Sequence, residues 1–115
     1  LAVFAGTAQA GCMATIGLSP VRDTAVVGEP WVVTIRVLQH GVKPMADARP
    51  VIRIRKAGSK SISFRGTRTG RVGSYRARVV FPSAGRYVVS VYDGFPVKAC
   101  ARVHTFRSVV VTDDA

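Results

Sequence analysis

The chain is short of acids. Of 115 residues only 6 are Asp or Glu, against 17 Lys or Arg, which gives a formal net charge of +11. It also has only two Cys, two His and two Met (Cys12, Cys100, His40, His104, Met13, Met45) and a single Trp. Each scarcity excludes something. Two His and six acids leave little for general acid–base chemistry, and no nucleophile–base–acid set stands out. Asp47, Asp93 and Asp114 are the acids considered as partners for a His, but Asp93-Gly94 reads as a turn and Asp114 is near the end, so no enzyme is expected. Two Cys alone make no zinc site, and their wide separation is not that of a redox pair. No run of about 20 apolar residues exists, so no helical membrane span is expected within these residues. No window holds apolar residues at helical spacing for ten residues or more.

What is present has a period of two. In "EPWVVTIRVLQHG" (29–41) Trp31, Val33, Ile35 and Val37 alternate with Val32, Thr34, Arg36 and Leu38. The same alternation sets Ile52 and Ile54 against Arg53 and Arg55. It sets Ile62 and Phe64 against Ser61, Ser63 and Arg65, and Tyr75, Ala77, Val79 and Phe81 against Arg76, Arg78 and Val80. Tyr87, Val89 and Val91 oppose Arg86, Val88, Ser90 and Tyr92. With "CMATIGLSP" (12–20) first and "VHTFRSVVVT" (103–112) last, this predicts seven strands, separated by turn chemistry such as His40-Gly41, Gly58-Ser59, Thr69-Gly70 and Asp93-Gly94. The fold class expected is all-β: an immunoglobulin-like antiparallel β-sandwich of about seven strands, spanning 11–112, with 113–115 as a tail. Its large core members are expected to be Trp31, Phe64, Tyr75, Phe81, Tyr87 and Phe106.

Residues 1–10, LAVFAGTAQA, pass from an apolar stretch to small residues ending in Ala8-Gln9-Ala10. That is how an export signal finishes, so these residues are read as the remnant of a signal peptide, with the mature chain starting at Gly11. A loose N-terminal arm is the plain alternative, and acylation of Cys12 as a lipoprotein is another. In an exported protein, an even pair of Cys at opposite ends of one domain is most simply a disulfide, here Cys12–Cys100. The expected localisation is therefore extracytoplasmic: secreted or associated with the cell envelope.

Two candidate sites follow. Arg53, Arg55, Arg65, Arg76 and Arg78 fall on the outward register of their strands, with Arg68 and Arg71 in the connecting turn. Guanidinium groups so placed suit an anionic partner: lipid head groups, wall polymers or an acidic envelope protein. A GC-rich coding sequence yields the same arginine bias with no partner at all. Nucleic acid is disfavoured, because the basic segments lack interleaved exposed aromatics. The second candidate is a copper site from His40, Met45, His104 and Met13, since imidazole and thioether together suit copper. The plain alternative is that the two His hold loops and Met13 packs, and the primary expectation is no cofactor.

"GCMATIGLSP", "GEPWVVTIRVLQHGVKPMADARPVIRI" and "GSYRARVVFPSAGRYVVSVYDGF…CARVHTF" together resemble a group of exported proteins of actinobacterial type. These carry an immunoglobulin-like sandwich related to FixH- and YtkA-like domains. The resemblance implies an envelope module without a known reaction, often followed by a C-terminal membrane anchor.

Overall fold

A computed structural model describes residues 12–114. Eleven strands follow one another: β1 (Ala14–Ser19), β2 (Thr24–Val26), β3 (Trp31–Gln39), β4 (Lys43–Pro44), β5 (Val51–Lys56), β6 (Ile62–Arg65), β7 (Thr67–Arg68), β8 (Ser74–Val79), β9 (Gly85–Tyr92), β10 (Val103–Thr105) and β11 (Val109–Thr112). A single 3-10 turn, Lys98–Cys100, is the only helical element among the described residues. The strands form two sheets, ordered β1-β3-β8-β7, with β4 beside the end of β3, and β2-β11-β9-β5-β6, with β10 beside β9. The fold is an all-β sandwich, as the alternation predicts. The expected signal remnant, residues 1–10, lies outside the described residues.

The alternation drives the assembly. Trp31, Val33, Ile35 and Val37 of β3 are buried, as are Ile52 and Ile54 of β5, Tyr75, Ala77 and Val79 of β8, and Tyr87, Val89 and Val91 of β9. Each such aliphatic side chain contributes about 1.5–3 kcal/mol on burial. Phe81 stands at the centre: its ring stacks with Trp31 at 6.3 Å and meets Tyr87 edge-on at 5.0 Å. Phe64 and Phe106, expected in the core, are half-buried and pack against it from the rim.

Three details depart from the expectation. The strands number eleven, because short pieces (β2, β4, β7, β10) flank the seven long ones. One pairing is parallel: β2 runs alongside β11, with Val110, Val111 and Thr112 partnered by Thr24, Ala25 and Val26. The expected last strand, 103–112, is two. Val103 pairs with Tyr92 and Thr105 with Ser90, but Val109 pairs with Tyr87, so one extra residue is accommodated between them. This bulge changes the inward parity from His104 to Val109 and Val111, which an uninterrupted period of two misses.

Two of the chain's passages between the sheets are fixed by specific contacts. Between β1 and β2, the Trp31 indole Nε1 donates to Pro20 O at 3.0 Å and anchors the crossing. Between β6 and β7 the crossing residue is Gly66, whose N–H donates to Pro50 O at 3.0 Å. A Cβ there would stand 3.1 Å from both the Pro50 ring and Tyr75 Cβ, so a side chain would wedge the crossing open.

Candidate functional site

Charge is sorted by position in the fold. All ten charged residues within strands are basic: three in β5, two in β8, and one each in β3, β4, β6, β7 and β9. The six acids all lie outside the strands, at Asp23, Glu29, Asp47, Asp93, Asp113 and Asp114. The strands therefore carry cations and no acid. Among the described residues the one Lys or Arg ion pair is Arg107–Asp23, and His104 lies against Asp93, an ion pair only with the imidazole protonated.

Several of these cations are occupied. Lys56 Nζ donates to Ser83 Oγ at 2.7 Å and to Ala84 O at 3.1 Å, and its stem packs beside Gly85. Arg36 donates to Ser74 Oγ and Arg86 to Ser108 Oγ. The five sequence-predicted arginines are different. Arg55, Arg65, Arg76 and Arg78 are exposed and make no ion pair or side-chain hydrogen bond with a described residue. Arg53 is half-buried, its guanidinium 5.5 Å from the Tyr92 ring centre.

The five fall on two sheets. Arg53, Arg55 and Arg65 belong to β5 and β6, whose register partners Arg53 with Ser63 and Val51 with Arg65. Arg76 and Arg78 belong to β8 in the other sheet, partnered across β3 by Thr34 and Val32. The crossing at Gly66 brings the two sets together. Arg65, Arg76 and Arg78 line one shallow groove, with Val32, Phe64, Thr67 and Ala77 between them. On the other flank of Arg65 a second concavity holds Arg49, Arg68 and Asp47, so an acid does enter there. Behind it, Tyr75 Oη donates to Met45 O at 2.6 Å and accepts from Ala48 N–H at 3.1 Å. Burial pushes the Tyr75 hydroxyl above its usual range, against the opposing pull of the Ala48 hydrogen bond and the Arg68 charge.

A different chemistry gathers where β1 begins, at the far edge of its sheet from β7, and along the segment from β9 to β10. Cys12 and Cys100 are disulfide-bonded with Cα atoms 5.3 Å apart, inside the range such bonds need. Asp93 is fully buried and bonded to His104, which lines one concavity with both cysteines. Its carboxylate accepts from Phe95 N–H and Arg102 N–H, and His104 Nε2 donates to it at 2.9 Å. The Asp93-Gly94 turn chemistry does not reveal this anchor. The signal was there: carrying the β9 alternation one step past Val91 places residue 93 inward.

The copper candidates are distributed as follows. His104 and Met13 line one concavity with Cys12, Cys100, Ala14, Ala99 and Arg102. Met45 is packed in the core, 7% exposed. His40 occupies a hairpin turn with Gly41, both at positive φ, as the mirror-image turn requires, and its N–H donates to Met13 O. Among the described residues no group of three or more His, Cys, Asp or Glu is placed to hold a metal.

No family model matches the chain, and no curated protein matches it. These comparisons therefore give no support to the FixH- and YtkA-like resemblance. Among solved structures, the chain is similar to a CARDB domain from Pyrococcus furiosus in complex with di-metal ions, at 14% identity, a TM-score of 0.43, and coverage of 86% of this chain and 92% of that one.

Proposed function

We propose that this protein is a non-catalytic, extracytoplasmic accessory domain of the cell envelope that binds an anionic partner through its outward arginines. The observation that carries the reading is the sorting of charge: the strands hold cations and no acid, every acid lies outside them, and unpartnered guanidinium groups converge on the groove of Arg65, Arg76 and Arg78. The disulfide supports an oxidising compartment, because such bonds are rare where thiols are kept reduced. Among the described residues, the concavity that His104 faces is lined by no Ser, Thr or free thiol for the His104–Asp93 pair to activate, which is compatible with a non-catalytic role.

The test separates a site from bulk charge. Retention on a phosphate-bearing matrix is compared for the wild type, Arg76→Glu with Arg78→Glu, and Arg22→Glu with Lys98→Glu. Both variants change net charge equally, and all four residues are exposed. The β8 variant elutes at clearly lower salt than the loop variant; equal elution would reduce the arginines to composition.

A second reading, copper binding, is favoured by one observation. Met13 and His104 share a concavity, and His104 turns Nε2 onto a buried carboxylate, the orientation that histidine ligands commonly take. Titration with Cu(I) against a chelator of known affinity decides it: Met13→Leu and His104→Gln each weaken binding if the pair is the site.

A further inference from the structure

The anion-binding reading leaves open what shape of anion the surface fits, and the disposition of the five arginines bears on that. Two residues along a strand span about 6.6–6.8 Å, so Arg53 to Arg55 and Arg76 to Arg78 are each one such step. Because Val51 partners Arg65, Arg53 stands on the diagonal from Arg65, about 7–8 Å away on the same outer face. Arg65 then lines the groove with Arg78 and Arg76 of the other sheet. The cations form a belt that starts on one outer face, turns the β6–β7 edge at Gly66 and continues on the other.

A belt that turns a corner selects against flat partners. The two outer faces of a sandwich point apart, so a planar bilayer or the surface of a folded acidic protein meets one face and leaves the other in water. A flexible chain meets both. Its charge must also be available however the chain twists at the corner, which favours charge carried in the backbone of every unit over charge on side groups that point alternately. Base stacking is poorly provided for: Arg53 covers the Tyr92 ring, and Phe64, the one aromatic lining the groove, is half-buried against the core. From this, and resting on the anion-binding reading above, we propose that the β6–β7 edge is a wrapping site for a flexible linear phosphodiester polymer, gripped from Arg53 and Arg55 past Arg65 to Arg76 and Arg78.

The experiment measures binding of fluorescent poly(glycerol phosphate) by anisotropy across a salt series. The same protein is tested against anionic phospholipid vesicles and against poly-glutamate of matched charge. Five phosphate contacts give a slope of log affinity on log salt of about −3.5, and each pair reversal should flatten it by about 1.4. Arg53→Glu with Arg55→Glu and Arg76→Glu with Arg78→Glu are made separately, with Gln versions in case a reversal impairs folding, and thermal melts confirm the fold. Both pairs matter if the polymer wraps, each weakening binding by about tenfold or more. Dependence on one pair alone overturns wrapping. Equal binding of poly-glutamate overturns the phosphodiester assignment. Vesicle binding without polymer binding overturns this inference and leaves the anion-binding reading standing, whereas failure of all three probes removes both.

Discussion

The disulfide end and the β6–β7 edge use opposite materials. At the disulfide end the contacts are matched pairwise: Asp93 takes two backbone N–H groups and His104, Arg102 donates to Ala99 O and Ala101 O, and the cysteines are joined. At the β6–β7 edge the guanidinium groups of Arg65, Arg76 and Arg78 point into a groove with no described partner. Residue types that are scarce in the chain, Cys, His and acid, hold one end together. The type it has in excess is left free at the other. Changes at the first region should therefore cost stability and spare binding, and changes at the second should do the reverse.

The largest effect on stability should come from opening the disulfide. Cys12 and Cys100 are 88 residues apart, and the chain-entropy model gives about 4–5 kcal/mol as an upper figure for such a loop. Urea unfolding of the oxidised protein and of Cys12→Ser with Cys100→Ser measures it. A difference below about 1 kcal/mol would mean that the Asp93 anchor alone holds this end. Trp31→Ala should cost nearly as much, about 3–5 kcal/mol, since it removes the ring stacked on Phe81 and the indole bond to Pro20 O. A small loss there would contradict the inward register of β3.

Asp93→Asn tests the anchor without emptying the site. The amide keeps the shape but loses the charge that three donors share, which should cost about 2–3 kcal/mol by chemical denaturation. Binding to anionic polymers should be unchanged. Any loss of binding in the folded variant would show that the two ends communicate, and would break the contrast.

The legibility of these regions in the sequence differs for a physical reason. Alternation is a local property, so β3, β5, β8 and β9 and their buried faces were readable from spacing, and the outward arginines came with them. The Cys12–Cys100 bond was readable because only one pairing exists. What local spacing does not contain is the path between sheets. The parallel β2–β11 pair, the bulge between Thr105 and Val109, and the crossing at Gly66 depend on which strands become neighbours. The arginines' residue numbers were therefore accessible, but their division between sheets and meeting at one edge were not. Asp93 failed differently: Asp-Gly is strong turn chemistry, and here the turn and the buried anchor are the same residue.

Tyr75 lies behind the edge and sharpens the comparison through pH. Its hydroxyl is raised above the ordinary 10.0 chiefly by burial. The folded state thus holds the proton more tightly than the unfolded chain, and the neutral hydroxyl's contribution is complete below pH 10 and lost as pH rises from there through the folded value. Unfolding free energy should fall with pH in that alkaline window. Tyr75→Phe should flatten its share of the fall, and at neutral pH it should cost about 1–3 kcal/mol by leaving Ala48 N–H and Met45 O without the hydroxyl. A variant as steep as the wild type would assign the alkaline loss to other groups.

The smallest stability effect should be at the edge itself. Arg76 and Arg78 are exposed, and their cross-strand neighbours Thr34, Val32 and Thr67 are uncharged, so no pairing is broken when they are replaced. Arg76→Glu with Arg78→Glu should then change the unfolding free energy by no more than about 0.5 kcal/mol per site, as for surface substitutions away from caps and buried networks. Relief of repulsion with Arg65 across the groove offsets part of any loss. Anion binding should meanwhile collapse. A combined loss above about 2 kcal/mol would show that the aliphatic stems of these arginines cover Val32 and Phe64 as packing. The arginines would then be structural at both ends of the molecule, and the division between a clamped end and a free one would fail.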